Sequence, residues 1–266
     1  MTISTEASTG LNWITLIAGP FIGASLAFMS SRLLDGMRRH RENVAAANLA
    51  LLTIKSQYND FLLFRRGFRE DIVREGLKGD EPLWVLVRPS FLTFGNYEFD
   101  FKSIGFLFEQ PGNAEVFEYI EQVQICHRDL VALEKLRTEN AITLQSTASK
   151  FQKGNPNPTW TGLEAEVGRA LTELLKTTAI GLAKRANENE EVYLKAFSSL
   201  RCALNRELNK YWLAKVKGRF GLSKRSAGVT LINVKTPKPS FELAALPPMP
   251  IALAKAVAEI NTGRSS

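Results

Sequence analysis

Between Glu6 and Arg32 the chain runs for 25 residues without an Asp, Glu, Lys or Arg. From Leu11 to Met29 that run is apolar apart from Asn12, Thr15 and Ser25 and the small or turn-forming Gly19, Pro20 and Gly23. A helix needs roughly 20 such residues to cover roughly 30 Å of hydrocarbon at 1.5 Å per residue. The length therefore predicts one membrane crossing, over residues 11–31, behind a short extracytoplasmic tail, 1–10. A cleaved secretory signal carries positive charge ahead of its apolar core, whereas residues 1–10 hold only Glu6. A buried core helix has a polar face, and Asn12, Thr15 and Ser25 do not make one.

Orientation follows from the flanks. No Lys or Arg precedes the run, and Arg32, Arg38, Arg39 and Arg41 follow it closely. Positive residues stay on the cytoplasmic side, so the N-terminus is expected outside and everything from about residue 32 inside, at a cell (inner) membrane. Trp13 falls where an interfacial aromatic belongs. Gly19 and Gly23 have the small-xxx-small spacing that lets two helices approach closely, a candidate helix–helix contact, although Pro20 between them equally fits a kink.

Past the run, apolar residues recur at alternating steps of three and four: Leu33, Met37, Val44, Ala47, Leu51, Ile54, Tyr58, Phe61, Phe68 and Ile72, interrupted by His40 and Arg65. This is a coiled-coil-like seam of period 3.5. No Pro intervenes between Arg32 and Glu81, and Gly76 is the first plausible stop. One helix is expected to leave the membrane and continue some 40 residues. Its stripe needs partners, and two further helical stretches supply them. One starts at a Pro111–Asn113 turn with Asn113 as its cap, and carries Val116, Ile120, Val123, Leu130 and Leu133 on one face. The other follows the loop Lys153–Pro158, opens with a capping-box pattern at Thr161–Glu164, and runs through Leu171, Leu174, Leu182, Val192, Leu200, Leu204 and Tyr211. The short loop makes these two an antiparallel pair. A break in the last stretch is expected at Gly181 or at Asn187–Glu191.

The fold class is therefore mainly α: an N-terminal transmembrane helix continuous with an elongated antiparallel cytoplasmic bundle, residues 32–220, with minor short β or irregular segments. The irregular part is 82–110, where Phe91, Phe94, Phe99, Phe101, Phe106 and Phe108 must find apolar cover. Whether this stretch makes a full return crossing of the bundle is left open by the sequence. Short strands are candidates at Pro82–Val87 and Val229–Val234. Residues 221–266 form a basic, Pro-rich extension with a short helix over Ile251–Ile260.

Signals for catalysis are absent. No phosphate loop, dinucleotide turn, nucleophile elbow, His-Glu-x-x-His or Cys-x-x-Cys occurs. The only His and Cys stand at 40, 126, 127 and 202, too scattered for a zinc site. Cys126 and His127 are helix neighbours about 100° apart and form no dyad with each other; His127 shares the apolar face and reads as a packed residue with one hydrogen bond. No enzyme activity and no cofactor are expected. Arg65 occupies the seam, so it must pair with a carboxylate, lie at a wet gap or extend its charge to the surface. Glu188, Glu190 and Glu191 read as a solvated face.

The net charge of +7 has a local origin. Residues 201–238 hold ten Lys/Arg against Glu207, so that tract is +9 and leaves the rest of the chain at −2. Within it Lys215, Lys217, Arg219, Lys224 and Arg225 alternate with Trp212, Val216, Phe220 and Leu222. Such a segment fits an anionic membrane surface, a nucleic-acid backbone or a solvated helix end. Its meaning turns on whether the last helix runs back toward the bilayer. The function expected is that of a membrane-anchored interaction or scaffold protein, an oligomeric sensor or effector. Its partners are the lipid bilayer and either a second copy or another membrane or cytoplasmic protein. The alternative is a tethered binder of anionic ligand or nucleic acid, with nucleic acid the lesser of the two.

Overall fold

The computed structural model describes residues 7–72, 82–85, 88–90, 92–108, 112–208 and 258, with the side chains of 7–17 and Leu83 excepted. Four helices account for most of them: α1 (Ala7–Ile72), α2 (Ala114–Gly154), α3 (Trp160–Val167) and α4 (Arg169–Leu208). The mainly α expectation holds, and no strand occurs among the described residues. At Pro82–Val87 there is instead a single 3-10 turn, Leu83–Val85. Val229–Val234, the expected terminal helix apart from Ala258, and the basic residues beyond Leu208 lie outside the described residues.

The seam read from the sequence organises the bundle. On α1 it is buried from Ala47 through Leu51, Ile54, Tyr58, Phe61, Phe64 and Phe68. These pack against Val116, Ile120, Val123 and Leu130 of α2 and Leu182, Ala186, Tyr193, Leu200 and Leu204 of α4. A smaller cluster at the far end joins Trp84, Ala141, Leu144, Leu163, Leu175 and Ala179, with the Trp84 and Trp160 rings edge to face at 6.1 Å.

Pairwise contacts give the directions. Gln57 meets Gln124, Asp60 meets His127 and Asp71 meets Arg137, so numbers rise together and α1 and α2 are parallel. Asp129 meets Arg185 and Asn113 meets Arg206, so α4 is antiparallel to α2, as the short loop requires. Parallel neighbours need a crossing segment between them, and residues 88–108 are that segment. Their partners descend in order: Arg137 for Arg88, Thr138 for Ser90, Asp60 for Gly95, Gln124 for Phe99 and Phe117 for Phe101. The return crossing left open by the sequence is thus made in irregular chain that ends in turns and the 3-10 helix Gly105–Leu107. Phe94, Phe99, Phe101 and Phe106 cover the core edge as expected, but the residues driven fully into it are Ile104 and Leu107, and Phe108 is largely exposed.

Three local expectations are corrected. Thr159, not Thr161, caps α3, its Oγ1 accepting from the Gly162 N–H at 3.2 Å. The break comes at Gly168, whose φ of 89° a residue with a Cβ rarely adopts, and α4 passes through Gly181 and Asn187–Glu191 without interruption. Asn113 stands at the start of α2 but does not cap it; its side chain is buried, donates to the Leu107 carbonyl and accepts from Arg206.

The expected span over 11–31 is not supported as such: no helix among the described residues is long and apolar enough to cross a membrane. From Ala18 onward the apolar window is cut short by Gly19, Pro20, Gly23 and Ser25 within it and by Ser30, Ser31 and Arg32 at its end, and the side chains of Leu11–Ile17 lie outside those described.

Candidate functional site

Two parts of the molecule are built differently from the rest: the end of the bundle from which α1 projects, and a buried polar layer in its middle. At the first, α1 continues upstream of its packed half with no other helix beside it among the described residues. Phe21, Ile22, Leu26, Phe28, Met29 and Leu34 are all more than half exposed, and together they surround the helix rather than forming one stripe. Leu33 and Met37, which share the seam spacing, are exposed as well, because α2 and α4 do not extend that far. A Cβ added to Gly19 or Gly23 would meet nothing within 4 Å, so that face is open among the described residues.

The Arg residues singled out from the sequence ring the base of this arm. Arg32 lies 5.0 Å from the Phe28 ring centroid, Arg38 pairs with Glu42 at 2.9 Å on the surface, and Arg39 and Arg41 are exposed. Burial lowers the pKa of His40 between them. The structure also brings α4 to this place. Tyr58 and Arg65 both reach Glu190, and α4 runs the opposite way to α1. Moving 18 residues on from Glu190 reaches Leu208, while moving 18 back from Tyr58 reaches His40. Arg201, Cys202 and Arg206, on the last two turns of α4, thus stand where the arm departs. Lys215, Lys217, Arg219, Lys224 and Arg225 lie outside the described residues.

The polar layer is largely hidden in the sequence. His127 is buried and its Nε2 lies 3.3 Å from Asp60 Oδ2, the single hydrogen bond expected. The same carboxylate accepts from the Gly95 N–H at 3.0 Å. Gln57 donates to the Tyr97 carbonyl at 2.7 Å and to Gln124 at 3.3 Å. Tyr97 folds over Gly95 so closely that a Cβ there would strike its ring. An apolar-walled pocket of about 350 Å³ opens beside them, lined by Phe94, Tyr97, Gln124, His127, Arg128 and Val131 among others.

Further along, Arg137 is fully buried. Its guanidinium donates to Glu134 at 2.9 Å, to the Arg88 carbonyl at 2.7 Å and to Asp71, with the Phe68 ring at 5.5 Å. Arg65 resolves as a paired seam residue, and its partner Glu190 comes from the run read as solvated; Tyr58 also donates to Glu190 at 3.0 Å. The signal for the buried charges is present in the spacing, since His127, Glu134 and Arg137 continue the same 3.5 period as Val116, Ile120, Val123 and Leu130.

Chemically the layer is suited to holding elements in register. The Asp60–His127 pair resembles an orienting couple, but no nucleophile is activated near it among the described residues. Burial raises the Cys126 thiol pKa, which disfavours the thiolate that would react, and it pushes the Tyr58 and Tyr193 hydroxyls far up as well. No group of three His, Cys, Asp or Glu among the described residues could hold a metal ion.

A family model described as Poxvirus A31 protein matches residues 88–146, the crossing segment and most of α2, which is less than a quarter of the chain. Comparison with curated proteins and with solved structures yields no match.

Proposed function

We propose that this chain is a single-pass membrane-anchored interaction protein, with residues 11–31 in the bilayer, the N-terminal side outside and the helical bundle working as a scaffold in the cytoplasm. The observation that carries the reading is the arm of α1: an apolar surface on all sides, exposed and without a companion among the described residues, on a helix that continues unbroken into the core. A helix apolar all round is stable only when something apolar surrounds it. Upstream of Ala18 the uncharged run adds Leu11, Ile14, Leu16 and Ile17 in sequence, and the Arg residues lie on one side of it alone, which supports the orientation. The scaffold part is supported by the outer face of α1, where Leu49, Leu52 and Leu63 remain exposed although the inner seam is satisfied.

The test is flotation of the full chain with vesicles or cell membranes. It is expected to resist high salt and alkaline carbonate, and Ile22→Lys with Leu26→Lys should release it. In intact cells Cys202 should react with membrane-permeant but not impermeant thiol reagents. Washing off in salt alone would sink the anchor; a monomer in detergent that crosslinks to no partner would sink the scaffold.

The alternative, a tethered binder of anionic ligand or nucleic acid through 201–238, draws support from the course of α4, which starts that tract beside the arm.

A further inference from the structure

We propose that the end of the bundle from which the arm departs, carrying Arg38, Arg39, Arg41, Arg201 and Arg206, is a docking surface for anionic lipid headgroups. This deepens the membrane reading and rests on it. The sequence leaves the basic tract with three meanings, and the direction of the last helix is the fact that separates them. The contacts of Glu190 with Tyr58 and Arg65, and of Asp129 with Arg185, supply that direction. α4 returns toward the arm, and its last turns stand level with residues 40–47 of α1.

Two consequences follow for the partner. First, whatever surrounds the arm lies within a few turns of Arg201 and Arg206. Asp35, Glu42 and Glu207 are the acids beside these arginines on α1 and α4, Arg38 pairing with Glu42 and Arg206 with Glu207, and Glu115 opens α2 nearby. In sequence the chain that follows Leu208 adds further cations, Lys210, Lys215, Lys217 and Arg219. No acid occurs from Asn209 through Phe241. Second, a nucleic-acid duplex seated there would lie against the exposed Leu33, Leu34 and Met37, a poor match for a phosphate backbone. A bilayer accepts both the apolar arm and the cations at its rim, and the alternating Trp212, Val216, Phe220 and Leu222 suit its interface.

Cys202 provides a probe within this surface, because it is exposed while Cys126 is buried. The full chain, labelled there with an environment-sensitive fluorophore, is mixed with phosphatidylcholine vesicles or with vesicles in which one lipid in three is phosphatidylglycerol. A headgroup-quencher lipid is present in both. Quenching should be stronger on the anionic vesicles and be reversed by salt. It should weaken about tenfold in lipid concentration for Arg201→Glu with Arg206→Glu, and for Lys215→Glu with Lys217→Glu, a second pair that follows Leu208 in sequence.

Flotation on both vesicles with equal quenching would overturn the docking surface and leave the anchor standing. Association only with anionic vesicles, released by salt, would support the surface and overturn the span. Binding to a DNA duplex in place of vesicles, or to neither, would overturn both.

Discussion

The proximal and distal halves of α1 carry the same spacing of apolar residues, Leu33, Met37 and Val44 in one and Leu51, Ile54, Tyr58 and Phe61 in the other. Among the described residues the distal half and Val44 pack into the core, while Leu33 and Met37 stay exposed. Phe61 is 0% exposed and Phe21 is 74% exposed, on one continuous helix. Periodicity reports that a face is apolar; it does not report what covers it, since that depends on where the neighbouring helices end. Among the described residues α2 and α4 stop level with residues 40–47 of α1, and the seam above that point stays exposed.

The sharpest way to break this contrast is to truncate one aromatic in each half. Phe61→Ala should cost the bundle about 3 to 5 kcal/mol through lost burial and a cavity, whereas Phe21→Ala should change bundle unfolding by less than about 0.5 kcal/mol. Urea unfolding in mild detergent, followed by far-ultraviolet circular dichroism, reads both. Equal costs would mean that the arm packs on the bundle after all.

The ion pairs offer a second contrast. Arg38–Glu42 in the proximal half is a solvent-exposed pair, so Arg38→Ala should cost well under about 1 kcal/mol. Arg137 at the distal end is buried with Glu134, and Arg137→Ala should cost about 3 kcal/mol because Glu134 is left buried without its partner. Burial already raises the Glu134 pKa above the ordinary 4.5, against the opposing pull of Arg137. The folded state therefore holds that proton more tightly than the unfolded chain. Its contribution to stability is full below the ordinary carboxylate value and is lost as pH rises through the raised one. Glu134→Gln should flatten stability against pH in that window, and an unchanged slope would show that Glu134 is not the titrating group.

How much of this is legible in sequence follows the same division. The helices, the packed stripe of α1 and the α2–α4 hairpin are readable because each rests on local spacing and a short loop. The parallel pairing of α1 and α2 is not, because it depends on Ile104 and Leu107 anchoring a long irregular crossing, a tertiary outcome. The cap at Thr159 falls two residues from where the pattern puts it, since Thr159 and Thr161 offer the same chemistry, whereas the break at Gly168 comes well before the expected Gly181, because any nearby Gly can take the positive φ a break needs. Arg65 stands out in the seam as anomalous, yet its partner Glu190 looks solvated because its neighbours Glu188 and Glu191 share its composition but not its face. Glu134 and Arg137 escape notice because two charges in a seam read as its end. They are instead a point where α1, α2 and the crossing segment are tied together.

The smallest expected effect bears on the open face of the arm. In the isolated chain Gly23→Ala meets no neighbouring atom, and replacing a helical Gly by Ala should stabilise the helix by about 0.5 to 1 kcal/mol. If Gly19 and Gly23 form a contact between two arms, the added methyl also separates the helices, since such contacts depend on close backbone approach. The two effects have opposite signs in different measurements: helix content rises in either case, while energy transfer between labelled copies in micelles falls only if the arms pair. Unchanged transfer with increased helicity would assign the whole circumference of the arm to lipid, and leave any self-association to the Leu49, Leu52 and Leu63 face of the packed half.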